Sequence, residues 1–316
     1  MRIDLHQHLW PGPLIERLRA RTAPPALEGR NGETVLRLEH EPDCVVDLGR
    51  HGLEHRLAAL DEAGIDTVVV SLSAPLGIEA LPAAEAEGLV SAYHEGLADV
   101  VSRAHGRIRG WAAVPLAAPD AGAAVVSAAL DQGFVGASLP SAALAGSREI
   151  DRLAPLLDLL EGRGAPLFVH PGPAPGTAPY ARDDGMPVWW PNLGAYPGLS
   201  IAAFFAWRAC GAARWPALRL CFAMLAGAGP FLEERWRTFS GEPGAIDRNV
   251  FVDTASGGRL ALECALATYG VEQVVFGTDI PVIGAGPVSR ALAELGPAVE
   301  QAVTASNPAR LLERME

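Results

Sequence analysis

The chain opens on the stretch Ile3-Asp4-Leu5-His6-Gln7-His8-Leu9-Trp10. Its spaced apolar residues predict a buried β-strand. In an extended strand, side chains two positions apart point to the same side, so His6 and His8 present two imidazoles to one point. A buried strand cannot hold two imidazoles without partners for them. The pair therefore indicates a metal site at the start of the chain.

Short apolar runs like this one recur along the chain, with amphipathic helical segments between them. The predicted strands are 3–9, 67–72, 108–116, 134–139, 167–169, 218–224, 250–254 and 274–277. The clearest predicted helices are 55–63, 85–103, 121–131, 148–161 and 259–269. Eight strand-helix units in 316 residues indicate an α/β fold of the (β/α)8 TIM-barrel type. A doubly wound open sheet is the alternative, but no Gly-x-Gly-x-x-Gly follows an early strand to support it.

We expect residues 1–316 to form a single domain with two long connections, 10–53 and 171–198. Within the first connection, 34–38 and 44–48 are expected to pair as a small β-excursion. Both connections follow the carboxyl ends of strands, where barrel enzymes build their sites. Long loops in compact domains are usually functional, so both are predicted to act as lids. The alternative is that the aromatic-rich second loop merely caps the barrel.

Composition limits the classes of partner. The net charge is −12, with 37 acidic and 25 basic residues, and every basic residue is Arg. The Arg residues are scattered, so no nucleic-acid partner is expected. The uncharged stretch 185–207 is interrupted by prolines, and no membrane span is expected. The four cysteines form no Cys-x-x-Cys pair and the start lacks a signal peptide, which favours a cytoplasmic protein.

Two further polar residues follow predicted strands. His170 ends the fifth strand, and Asp279 follows the eighth. In a closed barrel strands one and eight are neighbours, and strand five lies across the lumen, so His6, His8, His170 and Asp279 converge. Three imidazoles and a carboxylate suit one divalent metal, with Zn²⁺ preferred and Mn²⁺ or Fe²⁺ as alternatives. Singly, His170 or Asp279 could instead be a buried, hydrogen-bonded core residue.

As a set, these motifs resemble the amidohydrolase superfamily, and within it the branch typified by aminocarboxymuconate-semialdehyde decarboxylase. The resemblance spans most of the chain. It rests on the strand-one His-x-His, the stretches 54–57 and 60–66, Gly110-Trp111-Ala112-Ala113-Val114-Pro115-Leu116, His170-Pro171, Phe276-Gly277-Thr278-Asp279-Ile280-Pro281 and Asn307-Pro308-Ala309-Arg310-Leu311-Leu312.

The resemblance implies a mononuclear site and one departure from the family. Binuclear members bridge two metals with a carbamylated Lys, and this chain contains no Lys. The family's sixth strand normally ends Ala-His-Leu-Gly-Gly, but here Met224 occupies the place of that His, and no His follows His170. A thioether cannot take up a proton. Asp279 is then the remaining catalytic proton carrier, as base in related hydrolases or as acid towards the ring carbon in related decarboxylases.

A small-molecule substrate is expected at the barrel mouth. Trp10, Arg182, Trp189, Trp190 and Met224 are the candidates to line a pocket for a small aromatic or conjugated carboxylate. Trp189 and Trp190 could instead form the contact of a homodimer, since aromatic residues are enriched in interfaces.

Three functions remain open at this point. The first is a mononuclear metal-dependent lyase, a decarboxylase of a small unsaturated or aromatic carboxylic acid. The second is a metal-dependent hydrolase of an amide, ester or lactone. The third is a non-catalytic or repurposed barrel, which the substitution at Met224 keeps open. Arg56 is expected to form a structural ion pair with Asp61 or Glu54 rather than to bind substrate.

Overall fold

Eight parallel strands form the central sheet in the part of the chain that the structure describes. The structure is a computed structural model, and it describes residues 1–177, 183, 185–241 and 246–313. In chain order the strands are β1 (Ile3–His8), β2 (Ala26–Arg30), β3 (Glu33–Arg37), β4 (Cys44–Val45), β5 (Thr67–Ser71), β6 (Ile108–Ala113), β7 (Gly136–Pro140), β8 (Leu167–His170), β9 (Leu220–Phe222), β10 (Val250–Asp253) and β11 (Val274–Val275). The order in the central sheet is β1-β5-β6-β7-β8-β9-β10-β11.

Contacts between β1 and the segment after β11 close this sheet into a barrel. Leu5 N–H donates to Phe276 O at 2.9 Å, and His8 N–H donates to Ile280 O at 2.7 Å. Gln7 and Ile280 form a parallel bridge. Each barrel strand overlaps one of the eight predicted apolar runs, so the predicted (β/α)8 TIM barrel is confirmed.

Helices connect the barrel strands. They are α1 (Gly12–Arg19), α2 (Leu53–Ala63), α3 (Ala83–Arg103), α4 (Pro119–Asp131), α5 (Ser147–Arg152), α6 (Ala154–Gly162), α7 (Trp190–Gly194), α8 (Tyr196–Ala206), α9 (Gly229–Ser240), α10 (Arg259–Tyr269), α11 (Gly286–Leu295), α12 (Pro297–Gln301) and α13 (Asn307–Leu312). The prediction of one helix over 148–161 is wrong, because the helix is interrupted at Leu153. Pro155 lacks the N–H that would continue α5 and is suited to the first turn of a new helix.

Two apolar layers hold the barrel together. Inside the barrel, residues from successive strands pack on one another, and the Trp111 and Phe168 rings stack with centroids 5.5 Å apart. Outside it, helices bury one face each. In α3 this face includes Leu89, Tyr93 and Leu97, at helical spacing. The interior layer matters for function because the Phe168 ring touches the His6 ring, at a centroid distance of 5.0 Å.

The long connection after β1 contains a small antiparallel sheet. β3 pairs with β4 there, which agrees with the predicted pairing of 34–38 with 44–48. β2 pairs with β3 and was not predicted. In the long connection after β8, the last part is helical, since α7 begins at Trp190. The role of these two connections as lids stays a prediction.

Among the described residues, none of the helices combines the length and the apolar character needed to cross a membrane.

Candidate metal centre

Four side chains from three places in the sheet meet at the carboxyl end of the barrel. His6 and His8 come from β1, His170 is the last residue of β8, and Asp279 follows β11. One nitrogen from each imidazole and one carboxylate oxygen of Asp279 all lie within 4.8 Å of one another. All four side chains are buried. The structure thus brings together the residues that the sequence proposed as ligands; their metal binding stays a prediction.

The hydrogen bond at Nδ1 of the His6 ring decides which ring nitrogen faces the centre. The Oδ2 atom of Asp253 lies 2.7 Å from His6 Nδ1, and both side chains are fully buried. Because a carboxylate is an acceptor, Nδ1 carries the proton, and Nε2 of a neutral His6 keeps its lone pair. His6 Nε2 lies 3.3 Å from His8 Nε2. A carboxylate behind a histidine ligand is the usual arrangement in metal sites.

The other two imidazoles are held in the same way. His8 Nδ1 lies 3.1 Å from Ser71 Oγ. His170 Nδ1 lies 2.8 Å from the carbonyl oxygen of Pro171, which only accepts, so Nδ1 is the donor. With Nδ1 of both rings hydrogen-bonded elsewhere, Nε2 is the nitrogen that each ring can present to the centre. The rings of His6, His8 and His170 lie edge to face, with centroid distances of 4.9–5.1 Å.

The carboxylate of Asp279 is the polar group that most clearly requires a cation. Its Oδ1 atom lies 3.0 Å from His8 Nε2 and 3.4 Å from His6 Nε2. Nevertheless, none of the described residues hydrogen-bonds to this buried oxygen with acceptable geometry. A buried carboxylate oxygen that lacks a hydrogen bond is costly in free energy. A metal ion between Oδ1 and the imidazoles would remove that cost.

The electrostatics of the centre point the same way. Burial alone would lower the pKa of His6, but the carboxylates of Asp253 and Asp279 outweigh it and raise that pKa to about 10. Burial alone would raise the pKa of Asp279, but His6 and His8 hold it below its ordinary range. Burial lowers the pKa of His170. The centre therefore favours a positive charge, which a proton on His6 or a metal ion can supply.

The distances among these atoms suit a single ion. Donors that bind one ion at the lengths usual for Zn²⁺ lie roughly 3–3.5 Å apart when they occupy neighbouring positions of the coordination sphere. The three distances of 3.0, 3.3 and 3.4 Å among His6 Nε2, His8 Nε2 and Asp279 Oδ1 fall in this range. A set of imidazoles and a carboxylate is suitable for Zn²⁺, Mn²⁺ or Fe²⁺.

Met224, the residue expected from the resemblance to replace a histidine, lies two residues after the end of β9. It is half-buried, and its side chain packs against the apolar layer inside the barrel. Met224, Leu225 and Ala226 have φ values of 55°, 52° and 57°, a left-handed turn that is unfavourable for residues other than glycine. The Met224 N–H donates to Asp253 Oδ1 at 2.9 Å, which ties this turn to the partner of His6. A role of Met224 in binding substrate stays a prediction.

The aromatic residues proposed to bind substrate lie in different settings. Trp10 is only 6% exposed, stacks on His51 with centroids 4.5 Å apart, and donates from Nε1 to Ser73 Oγ at 3.1 Å. Trp189 and Trp190 are 54% and 42% exposed, and their ring centroids are 6.2 Å apart. Trp10 is thus engaged by its own chain, whereas the other pair is free to meet a ligand or a second subunit. Arg182, the remaining candidate, lies outside the described residues.

Sequence reasoning missed Asp253 and misjudged Arg56. Asp253 ends the apolar run of β10 just as Asp279 follows that of β11, and this pattern could have revealed it. The predicted ion pair of Arg56 with Asp61 or Glu54 is wrong. Asp61 pairs with Arg107 instead. Arg56 is buried at the back of β1 and donates from Nη2 to the His8 carbonyl oxygen at 2.9 Å.

The sequence matches a known protein family. A family model described as Amidohydrolase matches residues 3–314. The gamma-resorcylate decarboxylase of Rhodococcus jostii (strain RHA1) is 32% identical over 127 residues. This match spans 37% of the present chain and only 38% of that relative.

Solved structures show the same fold at low sequence identity. The apo form of IDCase from Metarhizium anisopliae superimposes with a TM-score of 0.81 at 21% identity, over 99% of this chain and 97% of that chain. The 5-carboxyvanillate decarboxylase of Novosphingobium aromaticivorans, complexed with manganese and 4-hydroxy-3-methoxy-5-nitrobenzoic acid, superimposes with a TM-score of 0.73 at 17% identity, over 99% and 96% of the chains. Because the family model spans almost the whole sequence, the chain belongs to the amidohydrolase family, an enzyme family, as its motifs predicted.

Proposed function

We propose that this protein is a mononuclear metal-dependent decarboxylase of a small aromatic or unsaturated carboxylic acid. His6, His8, His170 and Asp279 would hold one divalent metal. The observation that carries the proposal is the buried Asp279 Oδ1, which has no hydrogen bond among the described residues and faces the His6 and His8 rings. The substrate class is supported by the partial match to gamma-resorcylate decarboxylase.

The chemistry can be assigned to residues of the chain. A divalent metal, when bound, supplies a Lewis acid that polarises a substrate oxygen. In decarboxylation the bond between the ring carbon and the carboxylate carbon breaks, its electron pair stays on the ring carbon, and a proton is added there. Asp279 is the described acid at the centre that could carry this proton. His6 and His8 favour its ionised form, so Asp279 must take up a proton before it can deliver one.

Hydrolysis of an amide, ester or lactone is the second candidate. The same preference of Asp279 for its ionised form favours it, because a hydrolase needs this carboxylate as a base from the start. Met224 cannot replace a proton-transferring histidine in either reaction. Zn²⁺ is our first choice of metal from the donor set. The manganese in the Novosphingobium aromaticivorans decarboxylase makes Mn²⁺ the second.

The first experiment measures the metal content of protein purified without added metal or chelator. We expect about one equivalent in the wild type and in His55→Ala, which removes an exposed histidine on α2. His6→Ala should contain almost none. Negligible metal in all three proteins would favour a repurposed barrel and refute the proposed centre.

Turnover then separates the two reactions. Protein reconstituted with Zn²⁺ or Mn²⁺ is tested with dihydroxybenzoic and methoxy-hydroxybenzoic acids, and carbon dioxide is measured. Carbon dioxide release that disappears in Asp279→Asn, while metal remains bound, would support the decarboxylase. Acid release from esters or lactones without carbon dioxide would instead support the hydrolase. Unchanged turnover in Asp279→Asn would mean that another group moves the proton.

A further inference from the structure

β1, which carries two of the proposed ligands, is irregular. Its partners on β5 advance by two residues, from Val68 to Val70, while β1 advances by three, from Asp4 to Gln7. One extra residue therefore bulges from β1. A regular strand would place Leu5 and His6 on opposite faces. Here Leu5 belongs to the apolar layer inside the barrel and His6 to the cluster above it.

The carboxylate of Asp4 supports this bulge. The His6 N–H donates to Asp4 Oδ1 at 3.0 Å. Asp4 Oδ2 accepts from Gln7 Nε2 at 2.7 Å and from Thr278 Oγ1 at 2.6 Å. The Thr278 N–H also lies 3.3 Å from Asp4 Oδ1. Because Thr278 immediately precedes Asp279, one buried carboxylate ties the bulge to the segment that carries Asp279.

Arg56 completes the network on the other side of Gln7. Its Nη1 donates to Gln7 Oε1, and its Nη2 donates to the carbonyl oxygens of His8 at 2.9 Å and Arg50 at 3.3 Å. Arg56 is 1% exposed and Asp4 is fully buried. The amide of Gln7 thus links a buried cation to a buried anion behind the strand. Buried charges retained in this way can fix one arrangement of the chain.

We propose that Asp4 and Thr278 are positioning residues for the metal centre. Asp4 fixes the β1 bulge that turns His6 inward, and the Thr278 hydroxyl fixes Asp279 relative to that bulge. Arg56 and Gln7 hold Asp4 in place. This inference rests on the proposed metal site. In this proposal, the spacing of the ligands is determined by residues that do not themselves bind the metal.

The test measures metal affinity rather than turnover. Folded apoprotein is titrated with Zn²⁺ in competition with a chromogenic chelator, and with Co²⁺, whose visible spectrum reports the number and arrangement of ligands. Thr278→Val removes only the hydroxyl and keeps the branched shape. Thr278→Ser restores the hydroxyl. Asp4→Asn replaces one accepting carboxylate oxygen by an NH₂ group, so the donors of Thr278 or Gln7 would face another donor.

We expect Thr278→Val and Asp4→Asn to bind Zn²⁺ about 10- to 100-fold more weakly, as for other groups behind metal ligands. Their Co²⁺ spectra should also change, and Thr278→Ser should bind like the wild type. The matched control is Glu233→Gln. Glu233 is a buried carboxylate paired with Arg208 among the outer helices, so its loss should lower stability without changing metal affinity.

The outcomes are distinct. Wild-type affinity and an unchanged Co²⁺ spectrum in folded Thr278→Val would overturn the positioning role while leaving the metal centre intact. Equal weakening in Glu233→Gln would overturn it as well, since the effect would then be a general loss of stability. Should Asp4→Asn fail to fold, the pair Thr278→Val and Thr278→Ser still decides. A wild type that binds no metal would overturn both proposals.

Discussion

Replacement of Asp253 by Asn tests whether His6 Nε2 is a metal ligand. The Oδ1 atom of Asp253 accepts from the N–H groups of Met224 and Ala255, each at 2.9 Å. Asn can keep these bonds through its carbonyl oxygen, which leaves its NH₂ group facing His6 Nδ1. An NH₂ group only donates, so Nδ1 must accept and the His6 proton moves to Nε2. A protonated Nε2 cannot bind metal unless the new hydrogen bond breaks.

The size of the effect follows from the bond that is lost. A hydrogen bond to a charged group contributes about 1.5–3 kcal/mol, and about 1.4 kcal/mol corresponds to a tenfold change in affinity. We therefore expect Asp253→Asn to weaken metal binding by roughly 10- to 150-fold. This range agrees with the losses of about 10- to 100-fold seen when groups behind metal ligands are changed.

The assay is competitive titration of folded apoprotein with Zn²⁺, accompanied by thermal unfolding with and without metal. A 100-fold weaker affinity removes about 2.7 kcal/mol of metal-dependent stabilisation at saturating metal, so the metal-induced rise in melting temperature should shrink. Asp131→Asn is the matched control. Asp131 is an exposed carboxylate paired with Arg163. Binding by Asp253→Asn within about twofold of the control would refute the assignment of Nε2 as a ligand.

Three further predictions concern single residues. His170→Ala should reduce the metal content from about one equivalent to none, and full occupancy by elemental analysis would remove His170 from the ligand set. Met224→His should raise turnover by up to ~10²–10⁴-fold, which is what a positioned proton-transfer group contributes. An unchanged kcat with metal retained would show that the side chain at this position does not reach the reacting atoms. Burial raises the pKa of Glu79 from its ordinary 4.5 to about 8. Between these two pH values the native state holds a proton that the unfolded chain releases. The contribution of Glu79 to stability is therefore full below about pH 4.5 and is lost as pH rises through about 8. Urea unfolding is compared at pH 5 and at pH 8. Between these two pH values Glu79→Gln should lose about 3–4 kcal/mol less stability than the wild type; equal losses would mean that Glu79 ionises normally.

The barrel and the four-residue cluster could be predicted because both depend on simple periodic signals. Each barrel strand is a short apolar run, and His170 and Asp279 stand at or just after the ends of two of them. Closure of the barrel then brings these residues to His6 and His8, independently of the conformation of the loops. Asp253 carries the same signal, but an aspartate at a strand end can also serve to accept backbone N–H groups, and Asp253 does both.

The orientation of the imidazoles could not be predicted from sequence. Which ring nitrogen faces the centre depends on the partner of the other nitrogen. For His8 and His6 those partners are Ser71 and Asp253, far from β1 in sequence. The bulge in β1 was also hidden, because a period of two residues already placed His6 and His8 on one face. That argument gave the right pair but did not explain how Leu5 also reaches the barrel interior.

The stretch Gly277-Thr278-Asp279 shows how sequence, packing and chemistry meet in this protein. A Cβ atom on Gly277 would lie 2.8 Å from His6 Cβ and 2.9 Å from Asp253 Cγ, so only glycine leaves room for the His6–Asp253 pair. Thr278 binds the carboxylate of Asp4. Asp279 has a φ of 62°, and its backbone carbonyl oxygen accepts from the N–H groups of Val282 and Ile283, three and four residues later. Aspartate tolerates this left-handed conformation better than most residues. Each residue of the stretch therefore meets a separate steric or hydrogen-bonding need of the centre, which explains why these three types stand together after β11.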